Sequence, residues 1–160
     1  MTLLFLHGLE SGPYGTKYQA LKKRFGEVIS PDCRGLVDPQ QRLEIILATI
    51  REIEGDFLII GSSMGGLMAL LLQQAVPQRI AGMVLCAPAL QRPAAAGIHA
   101  QGLPPTVIIH GTEDTVVPIS GSRKFGVPLI EVNDDHSLKN SLPIILREVG
   151  RLKGQLEASI

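Results

Sequence analysis

The chain has 160 residues, 45% hydrophobic and 19% charged, a balance typical of one globular domain, which we expect over residues 1–160. Fifteen basic and fifteen acidic side chains cancel, so nothing in the overall charge favours binding to nucleic acid or to an anionic membrane. Cys33 and Cys86 are too far apart in sequence to suggest a metal site or a disulfide framework. The apolar run at 1–6 is too short for a signal peptide or a membrane span, so we expect a cytoplasmic protein.

Apolar runs and helical periodicities alternate along the chain. Short apolar runs predict buried strands at 3–7, 28–29, 57–60, 83–87, 106–110 and 127–132. Apolar residues at helical spacing predict helices at 17–25, 39–53, 67–76 and 142–156. Asp38 is the predicted N-cap of the second helix, whose charged residues are expected opposite its apolar stripe. Only 116–126 is left for a helix between the last two strands, and Gly121 is expected to interrupt it.

Strands that alternate with helices predict a parallel sheet covered on both faces. In such sheets the chemistry lies at the carboxyl ends of the strands. The polar residues just past those ends are therefore the candidates for a site: His7, Asp32, Ser62, Ser63, Glu113, Asp114, Asp134, Asp135 and His136.

Ser63 is the candidate nucleophile. It lies in Gly61-Ser62-Ser63-Met64-Gly65, a Gly-x-Ser-x-Gly turn between a buried strand and a helix. A sharp turn of this kind exposes the serine Oγ, and small flanking residues let the strand and helix approach closely. The pattern alone is weak, because glycine-rich connectors produce it by chance. The strand–turn–helix context makes it informative.

A serine nucleophile needs a base and an acid that orients it. His136 follows the last predicted strand, in a loop that can reach over the sheet end, and is the candidate base. Asp114 is the candidate acid, which gives the chain order serine, acid, histidine. Glu113 is a neighbouring competitor for the acid, and Asp134 or Asp135 is a weaker one.

The oxyanion formed during acyl transfer needs two backbone donors. We expect these to be the N–H of Met64, directly after the serine, and the N–H of Leu9, in the loop after the first strand. Gly8 would let that loop turn back toward the serine. His7 is expected to be structural, with its imidazole bonded to nearby backbone.

Together these residues resemble the α/β-hydrolase superfamily. His7-Gly8-Leu9 resembles its oxyanion-loop motif, and Gly61-x-Ser63-x-Gly65 resembles its nucleophile elbow. His110-Gly-x-x-Asp114-x-x-Val117-Pro118 resembles its acid loop, while 31–35 resembles a structural Asp-x-Arg-Gly turn. The resemblance implies a three-layer αβα sandwich with six parallel strands in the order 2-1-3-4-5-6. Residues 88–105, where larger members insert a cap domain, are too few for a cap.

The resemblance is closest to small cap-less bacterial esterases and thioesterases. It implies a serine hydrolase that cleaves esters or thioesters of small to medium acyl groups, with a small-molecule substrate and with neither cofactor nor metal. Two alternatives stay open: a non-catalytic hydrolase-fold binding protein, and an acyltransferase on the same fold. The oligomeric state and the physiological substrate are not predicted.

Overall fold

The computed structural model describes residues 1–159, and within them the central sheet has six strands in the order β2-β1-β3-β4-β5-β6. All neighbouring strands run parallel, so the predicted sheet and its strand order are confirmed. The strands are β1 (Thr2–Leu6), β2 (Val28–Ile29), β3 (Phe57–Ser62), β4 (Ile80–Cys86), β5 (Thr106–Gly111) and β6 (Leu129–Val132).

Helices cover both faces of the sheet. They are α1 (Thr16–Phe25), α2 (Pro39–Arg51), α3 (Met64–Ala75), α4 (Ile119–Phe125) and α5 (Leu142–Ala158). One apolar cluster joins α2 and α3 to one face, and a second joins α1 and α5 to the other. Alternate side chains of a strand point to opposite faces of the sheet, so each strand contributes to both clusters. In β1, Leu4 and Leu6 belong to the first cluster, whereas Leu3 and Phe5 belong to the second.

Several predicted element boundaries differ from the structure. Helix α3 begins at Met64, three residues before the predicted start, because Gly65 and Gly66 are part of its first turn and not of a loop. Gly121 lies inside the seven-residue α4, so the predicted interruption was wrong. The Asp38 side chain caps α2, as predicted, by accepting a 3.0 Å hydrogen bond from the N–H of Gln41.

The segment between β4 and β5 carries no cap domain in the described chain. Within residues 1–159, the regular secondary structure of this segment is a three-residue 3₁₀ helix, Pro93–Ala95. Over residues 1–159, no helix combines the length and the apolar character needed to cross a membrane.

Both cysteines are free and buried. Burial raises the pKa of the Cys86 thiol to about 11, and it also raises that of Cys33. At neutral pH the two side chains are therefore protonated thiols packed among apolar neighbours.

Candidate active site

Ser63 alone connects strand β3 to helix α3. Its φ of 58° and ψ of −115° lie outside the regions that non-glycine residues ordinarily occupy. The Ser63 N–H donates to the Cys86 carbonyl at 2.8 Å, and the Ser63 carbonyl accepts from the N–H groups of Gly66 and Ala89 at 2.9 and 3.0 Å. These bonds hold the strained turn, and Ser63 borders the cleft at the carboxyl end of the sheet.

Glycines on both sides of Ser63 let the helix approach the sheet. A Cβ at Gly65 would lie 1.9 Å from the Leu6 carbonyl oxygen, and a Cβ at Gly61 would lie 2.4 Å from the Gly65 carbonyl oxygen. Any side chain at these positions would overlap backbone. The first turn of α3 therefore rests directly on the end of β1.

His136 lies between Ser63 and Asp114. Its Nε2 is 3.1 Å from the Ser63 Oγ, and its Nδ1 is 2.7 Å from the Asp114 Oδ2. A carboxylate accepts hydrogen bonds and does not donate them, so the proton lies on Nδ1 and Nε2 is left to accept from the serine hydroxyl. The structure thus brings together the three side chains that the sequence singled out.

The competing carboxylates are engaged elsewhere. Asp134 is buried, and its Oδ2 accepts from the Asn140 N–H and the Ser141 hydroxyl. Asp135 accepts from the backbone and side chain of Ser137, and Glu113 is exposed. Asp114 is the carboxylate that contacts His136.

The side chain of Asp114 is buried, although the residue as a whole is partly exposed, and both carboxylate oxygens have hydrogen-bond donors. Its Oδ1 accepts from the N–H groups of Val116 and Val117, each at 2.8 Å. Burial alone would raise its pKa, but the Val117 N–H, His136 and the Val116 N–H together hold the pKa below the ordinary value. The carboxylate is therefore ionised at neutral pH.

A second histidine, His110, touches the same carboxylate. Its buried Nε2 lies 3.2 Å from the Asp114 Oδ2 and 2.9 Å from the Val117 carbonyl oxygen, which can only accept. Nε2 therefore carries a proton, while Nδ1 is 2.7 Å from the Ser122 hydroxyl. His110 and His136 thus contact the same carboxylate oxygen of Asp114, a role of His110 that the sequence analysis did not assign.

The loop after β1 carries the other predicted oxyanion donor. The Gly8 N–H donates to the Ser11 hydroxyl at 3.2 Å, so it is occupied. Within residues 1–159, the N–H groups of Leu9 and Met64 donate no hydrogen bond. Leu9 lies outside the helices and strands. Met64 is the first residue of α3, where backbone N–H groups have no partner within the helix. Both residues border the cleft beside Ser63.

Arg42 lies beneath this loop and is 1% exposed. Its guanidinium donates to the carbonyls of Leu36, His7 and Gly8 at 2.7, 2.8 and 3.2 Å, and no carboxylate of residues 1–159 pairs with it. The expectation that the charges of α2 face away from its apolar stripe is therefore wrong for Arg42. Arg42, Ile46 and Ile50 share the buried face, and their four-residue spacing is the signal that could have shown it.

His7 makes the backbone contacts predicted for it. Its Nδ1 is 2.7 Å from the Gly8 carbonyl oxygen, and its Nε2 accepts from the Cys33 N–H at 2.9 Å. The imidazole thus ties the oxyanion loop to the turn after β2. Burial lowers its pKa, which favours the neutral ring.

A model of the alpha/beta hydrolase family matches residues 3–116, which include Ser63 and Asp114. The chain belongs to the α/β-hydrolase family. His136 lies beyond the matched residues. The comparison with curated proteins found no match.

Solved structures share the α/β-hydrolase fold of this chain at low sequence identity. Est1E from Butyrivibrio proteoclasticus superposes with a TM-score of 0.78 at 18% identity, over 98% of this chain and 88% of that one. Mouse alpha/beta hydrolase domain-containing protein 10 gives 0.81 at 17% identity, over 97% and 90%. A monoacylglycerol lipase from Paleococcus ferrophilus gives 0.72 at 17% identity, over 97% and 93%. At these identities the likeness establishes the fold.

The α/β-hydrolase chain carries a cleft of about 480 Å³ over Ser63 and His136. Apolar side chains, among them Leu9, Met64 and Val117, form part of its wall. Residues 1–159 contain no group of three or more His, Cys, Asp or Glu side chains placed to hold a metal ion. The Ser63 hydroxyl and the His136 imidazole both border this cleft.

Substitution of Gly65 tests the close approach of α3 to β1. We expect Gly65→Ala to lower the free energy of unfolding by about 3 kcal/mol or more, because its Cβ would overlap the Leu6 backbone. Gly154→Ala in α5 is the matched control: its Cβ would meet open space, and we expect a gain of about 0.5–1 kcal/mol. Urea unfolding followed by circular dichroism measures both. Equal stabilities of the two variants would contradict this packing.

Proposed function

We propose that this chain is a serine hydrolase that cleaves carboxylic esters or thioesters of small to medium acyl groups. The observation that carries the proposal is the hydrogen-bonded chain from the Ser63 Oγ through His136 to the buried Asp114. A serine hydroxyl is a weak nucleophile at neutral pH, and a neighbouring imidazole in the right tautomer is the usual means of activating it. The names of two structural neighbours, the monoacylglycerol lipase from Paleococcus ferrophilus and a putative hydrolase from Agrobacterium vitis, agree with this reaction class.

In the proposed reaction the Ser63 Oγ attacks the acyl carbon while the His136 Nε2 takes the hydroxyl proton. The carbonyl oxygen becomes an oxyanion, and in the proposal it accepts hydrogen bonds from the N–H groups of Leu9 and Met64, two residues that border the cleft. When the tetrahedral intermediate collapses, the bond to the leaving group breaks and His136 returns the proton to the departing alcohol or thiol. Ser63 is left esterified by the acyl group.

Water completes the cycle by the same route. It enters the open cleft, loses a proton to His136 and attacks the acyl carbon. The bond from that carbon to the Ser63 Oγ then breaks, His136 returns the proton to the Oγ, and the carboxylic acid is released. Throughout, the imidazolium is stabilised by Asp114, whose pKa lies below its ordinary value and which stays ionised. The absence of a cap in the described chain leaves water free access to the intermediate.

The substitution Asp114→Asn tests whether Asp114 or its neighbour Glu113 is the acid of the proposed mechanism. We expect Asp114→Asn to lower kcat for p-nitrophenyl butyrate by about 10³–10⁴-fold, because the amide stabilises neither the working tautomer nor the imidazolium. Glu113→Gln is the matched control, one residue away and exposed, and should keep wild-type kinetics. If Glu113→Gln lost activity and Asp114→Asn did not, the assignment of the acid would be wrong.

Arg42 and His7 act in this mechanism as positioning residues for the Leu9 donor. Both donate to the Gly8 carbonyl, and that carbonyl and the Leu9 N–H belong to one peptide unit. In a trans peptide the C=O and the N–H point in opposite directions, so holding the oxygen below the loop turns the N–H away from Arg42. A charged donor on the carbonyl also polarises the peptide and strengthens its N–H as a donor.

Removal of the Arg42 charge tests this positioning role. We expect Arg42→Met to lower kcat by about 10²-fold with little change in KM, because the lost stabilisation belongs to the oxyanion, and Arg42→Lys to recover part of the rate. Affinity for an alkyl boronic acid, whose serine adduct places an oxygen in the oxyanion position, should fall with kcat. Unchanged boronate affinity in folded Arg42→Met would show that Arg42 only stabilises the fold.

A further inference from the structure

The charge around the cleft differs from that of the whole chain. The fifteen acidic and fifteen basic side chains of the sequence cancel. Among the residues that border the cleft, however, Lys17, Arg92 and Lys139 are cationic and Glu10 is the one carboxylate, so positive charge is concentrated beside Ser63. A cleft lined mainly by one sign of charge attracts ligands of the opposite sign.

Arg92 is the most informative of these cations. In residues 1–159 three arginines are at least partly buried: Arg42, Arg79 and Arg92. The guanidiniums of Arg42 and Arg79 each donate to three backbone carbonyls. Arg92 is half-buried as a residue, its guanidinium nitrogens remain accessible to water, and within residues 1–159 they donate to no protein group and form no ion pair. A guanidinium at the border of a cleft with all its donors free can bind a carboxylate or a phosphate of a ligand through charge-assisted hydrogen bonds.

Two lysines add to the positive charge of the cleft, which Lys17 and Lys139 border together with Arg92. Across the site, the Lys17 Nζ donates to the Ser137 carbonyl at 2.9 Å, next to His136. Positive charge therefore lies beside the loop of His136 as well as at Arg92.

We propose that the natural substrate carries an anionic group, a carboxylate or a phosphate, and that Arg92 binds this group while the acyl carbon lies at Ser63. The inference rests on the proposed function, since it names the class of ester that the same site takes. Apolar side chains in the cleft, such as Leu9 and Val117, suit the uncharged part of such a substrate.

Two matched substrate pairs test the proposal and separate the two sources of charge. The first pair compares the p-nitrophenyl monoester of adipic acid with p-nitrophenyl hexanoate, which differ by a carboxylate at the end of the acyl chain. The second compares S-acetyl-4′-phosphopantetheine with S-acetylpantetheine, which differ by one phosphate on the leaving group. In at least one pair we expect kcat/KM to favour the anionic member by about 10–100-fold, the range for a charge-assisted hydrogen bond.

Variants assign the preference to Arg92. Arg92→Gln should reduce the anionic-to-neutral ratio of kcat/KM to about one, and Arg92→Lys should retain part of it. Arg51→Gln removes the same charge at the end of α2, at the opposite edge of the sheet from the cleft, and should leave every rate unchanged. Added salt should lower the ratio for wild type and not for Arg92→Gln.

The outcomes separate this inference from the proposed function. Hydrolysis of the neutral esters without an anionic preference in either pair would overturn the substrate class and leave the serine hydrolase intact. So would a preference that Arg92→Gln leaves unchanged. If wild type hydrolysed none of the four substrates faster than Ser63→Ala, the proposed function itself would fail.

Discussion

The contact between the first turn of α3 and the end of β1 is the constraint on which the candidate site depends. At Gly65 even a methyl group would lie 1.9 Å from the Leu6 carbonyl oxygen, so glycine alone permits this approach. The approach brings the Ser63 turn beside the loop that follows β1. The free N–H groups of Met64 and Leu9, from two distant parts of the chain, thereby come to border one cleft.

Charge is distributed unevenly around this contact. On one side Asp114 is buried among donors, two of them histidines, and its pKa is held below the ordinary value. On the other side Arg42 is buried against backbone carbonyls without a carboxylate. The first arrangement places a negative charge beside His136, and the second places a positive charge beneath the oxyanion loop. A proton transfer that leaves an imidazolium and an oxyanion develops charges opposite in sign to these two.

Much of this architecture follows from local sequence patterns. Apolar runs of strand length predicted the six strands, and polar residues just past their ends included Ser63, Asp114 and His136, which the fold brings together. The start of α3 was misplaced because Gly65 and Gly66 are typical turn residues. They lie in the helix because a side chain at either position would overlap atoms of neighbouring segments. That requirement comes from tertiary packing and is not visible in the local sequence.

The supporting residues were harder to predict for a related reason. Arg42 has the sequence character of an exposed helical residue, and its burial depends on carbonyls of a loop more than thirty residues earlier. His110 and Asp114 are four residues apart, but their contact depends on how the chain turns after β5. Arg92 lies in a segment without periodicity, so its position beside Ser63 could be seen only in the folded chain.

The most direct test of the central claim is the site of reaction with an alkyl fluorophosphonate. Intact-mass spectrometry after incubation should show one adduct per chain, and peptide mapping should place it on Ser63. Ser62→Ala, which removes the neighbouring cleft hydroxyl, should still react, whereas Ser63→Ala should not. Reaction at Ser62 or elsewhere, or no reaction by the folded wild-type protein, would contradict the assignment of Ser63 as the nucleophile.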